Sequence, residues 1–387
     1  MAKFNQVLHH SGTQLSTGGQ GLAYRSEFIV VAWWCATALL AMAVVTLGAE
    51  VLPPKFSYDS ELIKSLMRRP DLWEGVSFDS FVNATRAWAI LLELGPERLV
   101  VSVCFALYLI FFIHRLQVGS FISAHAHALA ACWLLCSAVF LTNLSKEMLA
   151  LPVALVFCFA HGTVARAGAF LLFVIFTAFV RQYWAITFFY YLVVTVALVQ
   201  WRAERRILFI AVLLVGFVVP FLAAEAFQMV PLSESRMIVN ADRVDSPDAR
   251  SAFANPLINT NAATDIANTI AAWFFLNVPV ALLAELTPQY VFFVFFQLLS
   301  IAYFGAGLAH LLRQPRTAPS DPVRWRCAAF VLSYSVTQAI FEPDFGSFLR
   351  HEVVIVMPLL LVACTRTVKS PDKTAQLGSV TDHGSKL

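Results

Sequence analysis

An all-α, polytopic transmembrane helical bundle of about ten spans, with two large periplasmic loops containing amphipathic or re-entrant helices, is the architecture to expect of this chain. Three features lead there. Of its 387 residues, 59% are hydrophobic and 13% charged, with a mean hydropathy of +0.71; a soluble surface cannot hide that much apolar side chain. The apolar residues, 34 Phe among them, gather into charge-poor runs long enough to cross a hydrocarbon layer about 30 Å thick. Basic residues crowd into alternate short connections, as cytoplasmic loops do. The same composition excludes disordered, collagenous, disulfide-scaffold and nucleic-acid-binding classes.

Residues 1–26 are polar and lack the apolar centre of a cleavable signal, so the run 27–50 is expected to remain as an anchor. Further spans are expected at 97–114, 121–142, 147–163, 167–180, 184–200, 207–228, 289–312, 326–342 and 352–366. The run 167–180 is short, but Arg166 and Arg181 at its ends can snorkel and extend it. A transmembrane domain over 27–366 thus lies between a cytoplasmic segment, 1–26, and a polar tail, 367–387, expected to be disordered.

Placing both termini in the cytoplasm puts Arg115, Arg166, the cluster Arg202/Arg205/Arg206 and the cluster Arg313/Arg316/Arg324/Arg326 on the inner side together. The segment 269–287 is apolar enough to be another span, yet counting it would move the second cluster outside. Asn277, Pro279 and Glu285 also interrupt it, so it reads as a re-entrant or interfacial hairpin on the outer face. The outer loops are then 51–96 and 229–288. Within the first, FSYDSELIKSLMRRPDLW and FVNATRAWAILLEL repeat apolar positions at helical spacing and read as surface helices.

All seven cysteines fall inside apolar runs, without a CxxC or Cys/His spacing, and read as small hydrophobes. His125 and His127 point to different sides of a helix and His161 has no acidic neighbour, so no metal site is expected.

Charges bordering spans are informative because burying them is costly. Inner loops hold arginines and few acids. The outer face instead carries mixed groups at span ends: Asp59 and Glu61; Lys146 and Glu147; Arg181, Tyr183 and Trp184; and Glu342, Asp344, Arg350, His351 and Glu352. Positive residues there run against the topological bias. Guanidinium and ammonium groups suit a diphosphate, and a neighbouring carboxylate can take a proton from a hydroxyl nucleophile, which together suit sugar transfer from a lipid diphosphate. The plainer alternative is that these neighbours form ion pairs that anchor helices at headgroup level. The segment EPDFGSFLRHE, 342–352, holds three carboxylates, an arginine and a histidine, with Pro343 and Gly346 expected to set an outer turn.

YDSELI after the first span, LSKEMLALP opening the fourth, the RQYW turn, a large outer loop in the second half and FLRHE before the last span together resemble the Wzy-type O-antigen and exopolysaccharide polymerases, including their EpsG-like branch. The resemblance extends over most of the chain as architecture. It implies a glycosyltransferase of the bacterial inner membrane. Such an enzyme joins undecaprenyl-diphosphate-linked oligosaccharide repeat units at the periplasmic face, without nucleotide sugar or cofactor. Its surroundings would be membrane lipids, a flippase and a chain-length regulator. On that resemblance Lys146 and Arg181 would bind the donor diphosphate, Arg350 would assist or hold the second lipid, and His351 or Asp59 would be the base. Glu147, Tyr183, Glu342 and Asp344 would complete the substrate-binding set.

Asp59 also resembles, by location, the acidic residue in the first outer loop of GT-C glycosyltransferases, which use a polyprenyl-phosphate sugar. Those enzymes more commonly show Asp-Asp or Glu-x-Asp there, whereas this chain has Asp59 and Glu61 in the reverse order of type. A transporter or flippase for a lipid-linked glycan would need charges along the midplane and related halves, neither of which the sequence displays. An acyltransferase using His351 is the remaining alternative.

Overall fold

The structure, a computed structural model, describes residues 17–53, 56–73, 77, 79–116, 121, 123–227, 229–241, 252–285, 287–314 and 321–364. The expected tail, Arg316 and most of the expected N-terminal segment lie outside the described residues. The described chain is helical throughout, with no strand among the described residues and one isolated antiparallel bridge, Ala252 to Asp344.

In chain order the helices are α1 (Thr17–Val51), α2 (Tyr58–Met67), α3 (Pro70–Trp73), α4 (Ser80–Leu92), α5 (Glu97–Leu116), α6 (Ala124–Phe140), α7 (Lys146–Phe159) and α8 (Thr163–Phe179). They continue with α9 (Trp184–Arg202), α10 (Arg206–Ala226), α11 (Glu234–Ala241), α12 (Ala262–Asn277), α13 (Pro288–Arg313), α14 (Pro322–Phe341), α15 (Phe345–Glu352) and α16 (Val356–Cys364). Short 3₁₀ segments, Val280–Glu285 and Val353–Ile355, follow α12 and α15. Six helical stretches are long and apolar enough to cross a membrane: Phe28–Gly48, Glu97–Leu116, Trp184–Arg202, Arg206–Ala226, Pro288–Arg313 and Phe345–Cys364. Two shorter apolar helices, α6 and α8, accompany them.

Local chemistry sets the helix ends. Ser123, Ser145, Asp79, Asn261, Asp321 and Asp344 each stand just before a helix and accept a backbone N–H of its first turn, satisfying donors that the helix itself leaves open. One of these caps changes the reading of 342–352. The expected turn is a helix, because Asp344 accepts the Ser347 N–H at 2.8 Å and the apolar Phe345 and Phe348 recur at helical spacing on the buried face. Gly346 lies inside that helix, and only residues 342–344 connect it to α14.

The last helical stretch is the centre of the bundle. In Phe345–Cys364, 78% of the window is buried, against 11% for Arg206–Ala226 at the periphery. α16 packs against α13 and α14, and the 3₁₀ segment before it against α7. The α13 contact is close because Gly307 has no side chain: a Cβ there would collide with the Val362 carbonyl. On the other side α9 packs between α10 and α14, and α1 lies along α5 and α6. Trp184 is fully buried among Phe173, Phe176, Phe330 and Tyr334, which locks the start of α9 to α8 and α14.

Candidate functional site

Residues from four separate stretches, near 59, 146, 181 and 342–351, meet at one place. Each is set there by a local device. Ser145 caps α7 by accepting the Met148 N–H at 3.2 Å, while Trp88 donates its indole N–H to the Ser145 carbonyl at 3.1 Å. Lys146 and Glu147 therefore occupy the first turn of α7 in a fixed orientation. The RQYW turn closes through Trp184 N–H to the Arg181 carbonyl at 2.9 Å, which puts Arg181 between α8 and α9. Asp59 lies in the first turn of α2, and Arg350 and His351 in the last turn of α15.

Glu147 is the hub. Its carboxylate is completely buried, and Oε1 receives Arg181 at 2.5 Å, His351 Nε2 at 3.0 Å and Arg350 Nε at 3.8 Å. Arg350 turns its other end to Asp59, Nη1 to Oδ1 at 3.2 Å. Arg181 also donates to the Tyr183 hydroxyl, and the second nitrogen of His351, Nδ1, faces the Glu342 carboxylate. Lys146 stands beside this group, its ammonium 3.4 Å from the centre of the Phe81 ring and 3.5 Å from the Ser80 hydroxyl. Asp344 is turned to a different task, the α15 cap.

Three carboxylates, Asp59, Glu147 and Glu342, balance three cations, Lys146, Arg181 and Arg350, and His351 lies between two of the carboxylates. Both its ring nitrogens face carboxylate oxygens, an arrangement in which both act as donors only in the imidazolium form. Burial pushes the Lys146 pKa down to about 8, helped by the nearby Arg181 and opposed by Asp59 and Glu147. Arg181 overcomes the same burial penalty through Tyr183 and Glu147, and its pKa lies well above the ordinary value.

Exposure divides the cluster into a floor and a rim. Arg181 is 2% exposed, so it forms the floor with Glu147, whereas the Arg350 side chain keeps 27% of its surface open. Several buried polar atoms at this place have no hydrogen-bond partner: Asp59 Oδ2, Glu147 Oε2, Glu342 Oε2 and Arg181 Nε. A cluster that served only to hold helices together would be expected to satisfy them. Such spare donors and acceptors in a charged, part-open site can engage a ligand that offers both anionic oxygens and hydroxyl groups.

The structure thus brings together Asp59, Lys146, Glu147, Arg181, Tyr183, Glu342, Arg350 and His351, and leaves Asp344 aside. The supports beneath them do not emerge from the sequence reading. Tyr334 donates to the His351 carbonyl at 3.3 Å, and Gln338 to the Phe348 carbonyl at 3.3 Å, so α14 holds α15 in place. Their signal was the polar series Ser333, Tyr334, Thr337 and Gln338 within an otherwise apolar run. His127 accepts the Trp34 indole N–H at 3.0 Å, a packing arrangement remote from the cluster. Comparison with known protein families, with curated proteins and with solved structures gives no match.

Proposed function

We propose that the chain is a polysaccharide polymerase. It transfers a growing glycan from undecaprenyl diphosphate to the terminal hydroxyl of another lipid-linked repeat unit, at the periplasmic face of the bacterial inner membrane. The observation that carries this reading is the cluster around Glu147, in which cations and carboxylates with spare buried atoms meet at span ends that the charge rule assigns to the outside. The accompanying topology has ten spans and both termini cytoplasmic, with 269–287 held on the outer face. The transmembrane domain covers 27–366, flanked by the segment 1–26 and the tail 367–387. A flippase and a chain-length regulator would be its working partners.

In this reading the acceptor hydroxyl oxygen attacks the anomeric carbon of the donor, and the bond from that carbon to the diphosphate oxygen breaks. The leaving lipid diphosphate takes the electron pair, and Arg350 and Lys146 on the rim stabilise the charge it gains. Arg181, held below them by Glu147 and Tyr183, adds positive potential and keeps the floor rigid. Asp59 receives the hydroxyl proton: its Oδ1 is engaged by Arg350, while its Oδ2 is unpartnered, so a proton acceptor lies beside the cation that holds the leaving group. His351, held at both nitrogens, keeps the Glu147 and Glu342 carboxylates in position.

The place of Asp59 at the start of a helix in the first outer loop also supports a second reading, a GT-C-type transferase of one sugar from a polyprenyl phosphate. One experiment separates them. In a strain lacking the native gene, Asp59→Asn or Arg350→Ala at matched protein level should leave single repeat units on the lipid carrier, read as glycan length on a gel. Repeat units one sugar short would favour the second reading, and wild-type chain length in both variants would remove the site.

A further inference from the structure

A second recess lies on the outer loop, between the end of α10 and the start of α12, with a cavity volume of about 170 Å³. Its polar wall consists of Glu225, Asn259, Thr260, Asn261 and Asp265, and no lysine or arginine is among the described residues that line it. Its apolar lining comes from the buried Phe221 and Ala224, with Met229 and Pro231 nearer the surface. The size is below the roughly 300–1,000 Å³ of pockets for drug-sized ligands and suits one small ring.

The loop behind this wall is fastened with unusual care for a connection. Asp265 is buried and accepts the backbone N–H groups of Leu232 and Ser233 at 2.7 and 3.0 Å as well as the Ser233 hydroxyl. Asn268 ties both the N–H and the carbonyl of Leu257, at 3.0 and 2.9 Å, and Asn259 donates to Ser233 and Glu234 at 3.0 and 3.1 Å. An idle loop has no need of such a network; a loop that must present side chains in register does.

The lining chemistry selects the ligand. Glu225 uses Oε2 to accept the Ala262 N–H at 3.1 Å, which leaves its other oxygen as an acceptor. Asn261 uses its carboxamide oxygen on the Thr264 N–H at 3.0 Å, which leaves its NH₂ as a donor. Two carboxylates repel an anion. A hard divalent cation wants six to eight oxygen ligands or a near-complete octahedron, and Asp265 has already given both oxygens to N–H and O–H donors. What remains is a neutral ligand with hydroxyl groups along one side and a C–H face for the apolar lining: a sugar ring.

One apolar group runs from the recess to the charged cluster. Phe221 packs in one apolar group with Tyr190, Ala262 and Ile340, while the next ring, Phe341, lies 5.4 Å from Tyr183, the partner of Arg181, and Glu342 follows directly. We infer that this recess is a neutral-sugar subsite, set one helix end away from the charged cluster. The inference deepens the proposed function by giving the glycan its own place apart from the diphosphate, and it rests on that reading only for what the sugar is attached to.

The test measures binding, without requiring turnover. Purified protein in detergent is offered a panel of methyl glycosides of neutral hexoses, N-acetylhexosamines and 6-deoxyhexoses, and separately inorganic pyrophosphate and calcium, with binding followed by saturation-transfer NMR or calorimetry. At least one glycoside should receive saturation on its ring C–H protons. Thr260→Trp, at an exposed position on the rim of the recess, should weaken that response about tenfold, and Glu225→Ala should reduce it. Absence of transfer to every glycoside, an undiminished response in Thr260→Trp, or calcium or pyrophosphate binding that Thr260→Trp abolishes would each overturn the subsite. Polymer formation without glycoside binding would sink the subsite alone, and glycoside binding in a chain that makes no polymer would sink the polymerase reading alone.

Discussion

Replacing Glu147 by leucine removes the one oxygen that holds Arg181, His351 and Arg350, at 2.5, 3.0 and 3.8 Å. Arg181, 2% exposed, would be left as a buried cation without a carboxylate, hydrogen-bonded to the Tyr183 hydroxyl. Breaking a buried pair in this one-sided way costs about 3–5 kcal/mol, because the remaining charge keeps its desolvation penalty and loses its counterion. Arg350 contributes less to that figure, since its open side chain is screened by solvent. Removing both charges in Glu147→Leu/Arg181→Met should recover most of the loss, as apolar replacements of buried pairs commonly do. The assay is thermal unfolding of the four proteins of the double-mutant cycle in detergent, with an expected coupling on the order of 2–3 kcal/mol. Additivity of the two single variants within about 0.5 kcal/mol would refute the hub. Stability restored in the double variant without polymer would assign the pair to function as well as to folding.

Arg350→Lys and Arg181→Lys should restore little of the polymer lost in the alanine variants, because lysine keeps the charge and loses the planar fork of donors; full activity in both would reduce these residues to headgroup anchors. Lys146 carries its charge below about pH 8 and loses it above. Its folded pKa is depressed from the ordinary 10.5, so this residue's contribution to folding stability rises with pH between those values while its hold on an anion falls. Polymerisation should therefore show an alkaline limb near pH 8 that moves upward in Lys146→Arg; an unmoved limb would place the titration elsewhere. Gly307→Leu should lower the amount of folded protein by forcing α13 away from Val362, measured as monodisperse yield after detergent extraction, and a normal yield would contradict the close contact. Cysteines introduced at Thr260 and Gln314 should label from the periplasm and from the cytoplasm respectively, and the reverse pattern would invert the proposed topology.

What could be read from the sequence was whatever is written in periodicity and local charge. Helices occupy each of the ten apolar runs because charge-poor stretches of that length leave the backbone few other ways to satisfy its hydrogen bonds in an apolar setting. The residues of the charged cluster were visible for a related reason: Lys146, Arg181 and Arg350 are cations at the ends of apolar runs, where the proposed topology disfavours them. Their pairing was not visible. Nothing along the chain says that Glu147 rather than Asp59 gathers two arginines and a histidine, since that depends on how α7, the RQYW turn and α15 converge in space. The same holds for 342–352, where proline and glycine suggested a turn while the Asp344 cap and the buried Phe345 and Phe348 made a helix. The Asp265 network escaped notice because Asn, Ser and Asp in a polar loop look alike whether or not they interlock.

The enclosure of the Phe345–Cys364 stretch has a temporal side. A ribosome delivers this stretch after every helix that surrounds it, so the earlier segments must wait in the bilayer around a space they cannot fill themselves. Until it arrives, α7, α13 and α14 have only lipid or one another to cover the faces that it will occupy, and Glu147 lacks Arg350 and His351. Assembly of the bundle and completion of the charged cluster are thus one late event. A chain stalled before that event would present quality-control proteases with an unfilled apolar cleft and, beside it, Asp59 without its arginine.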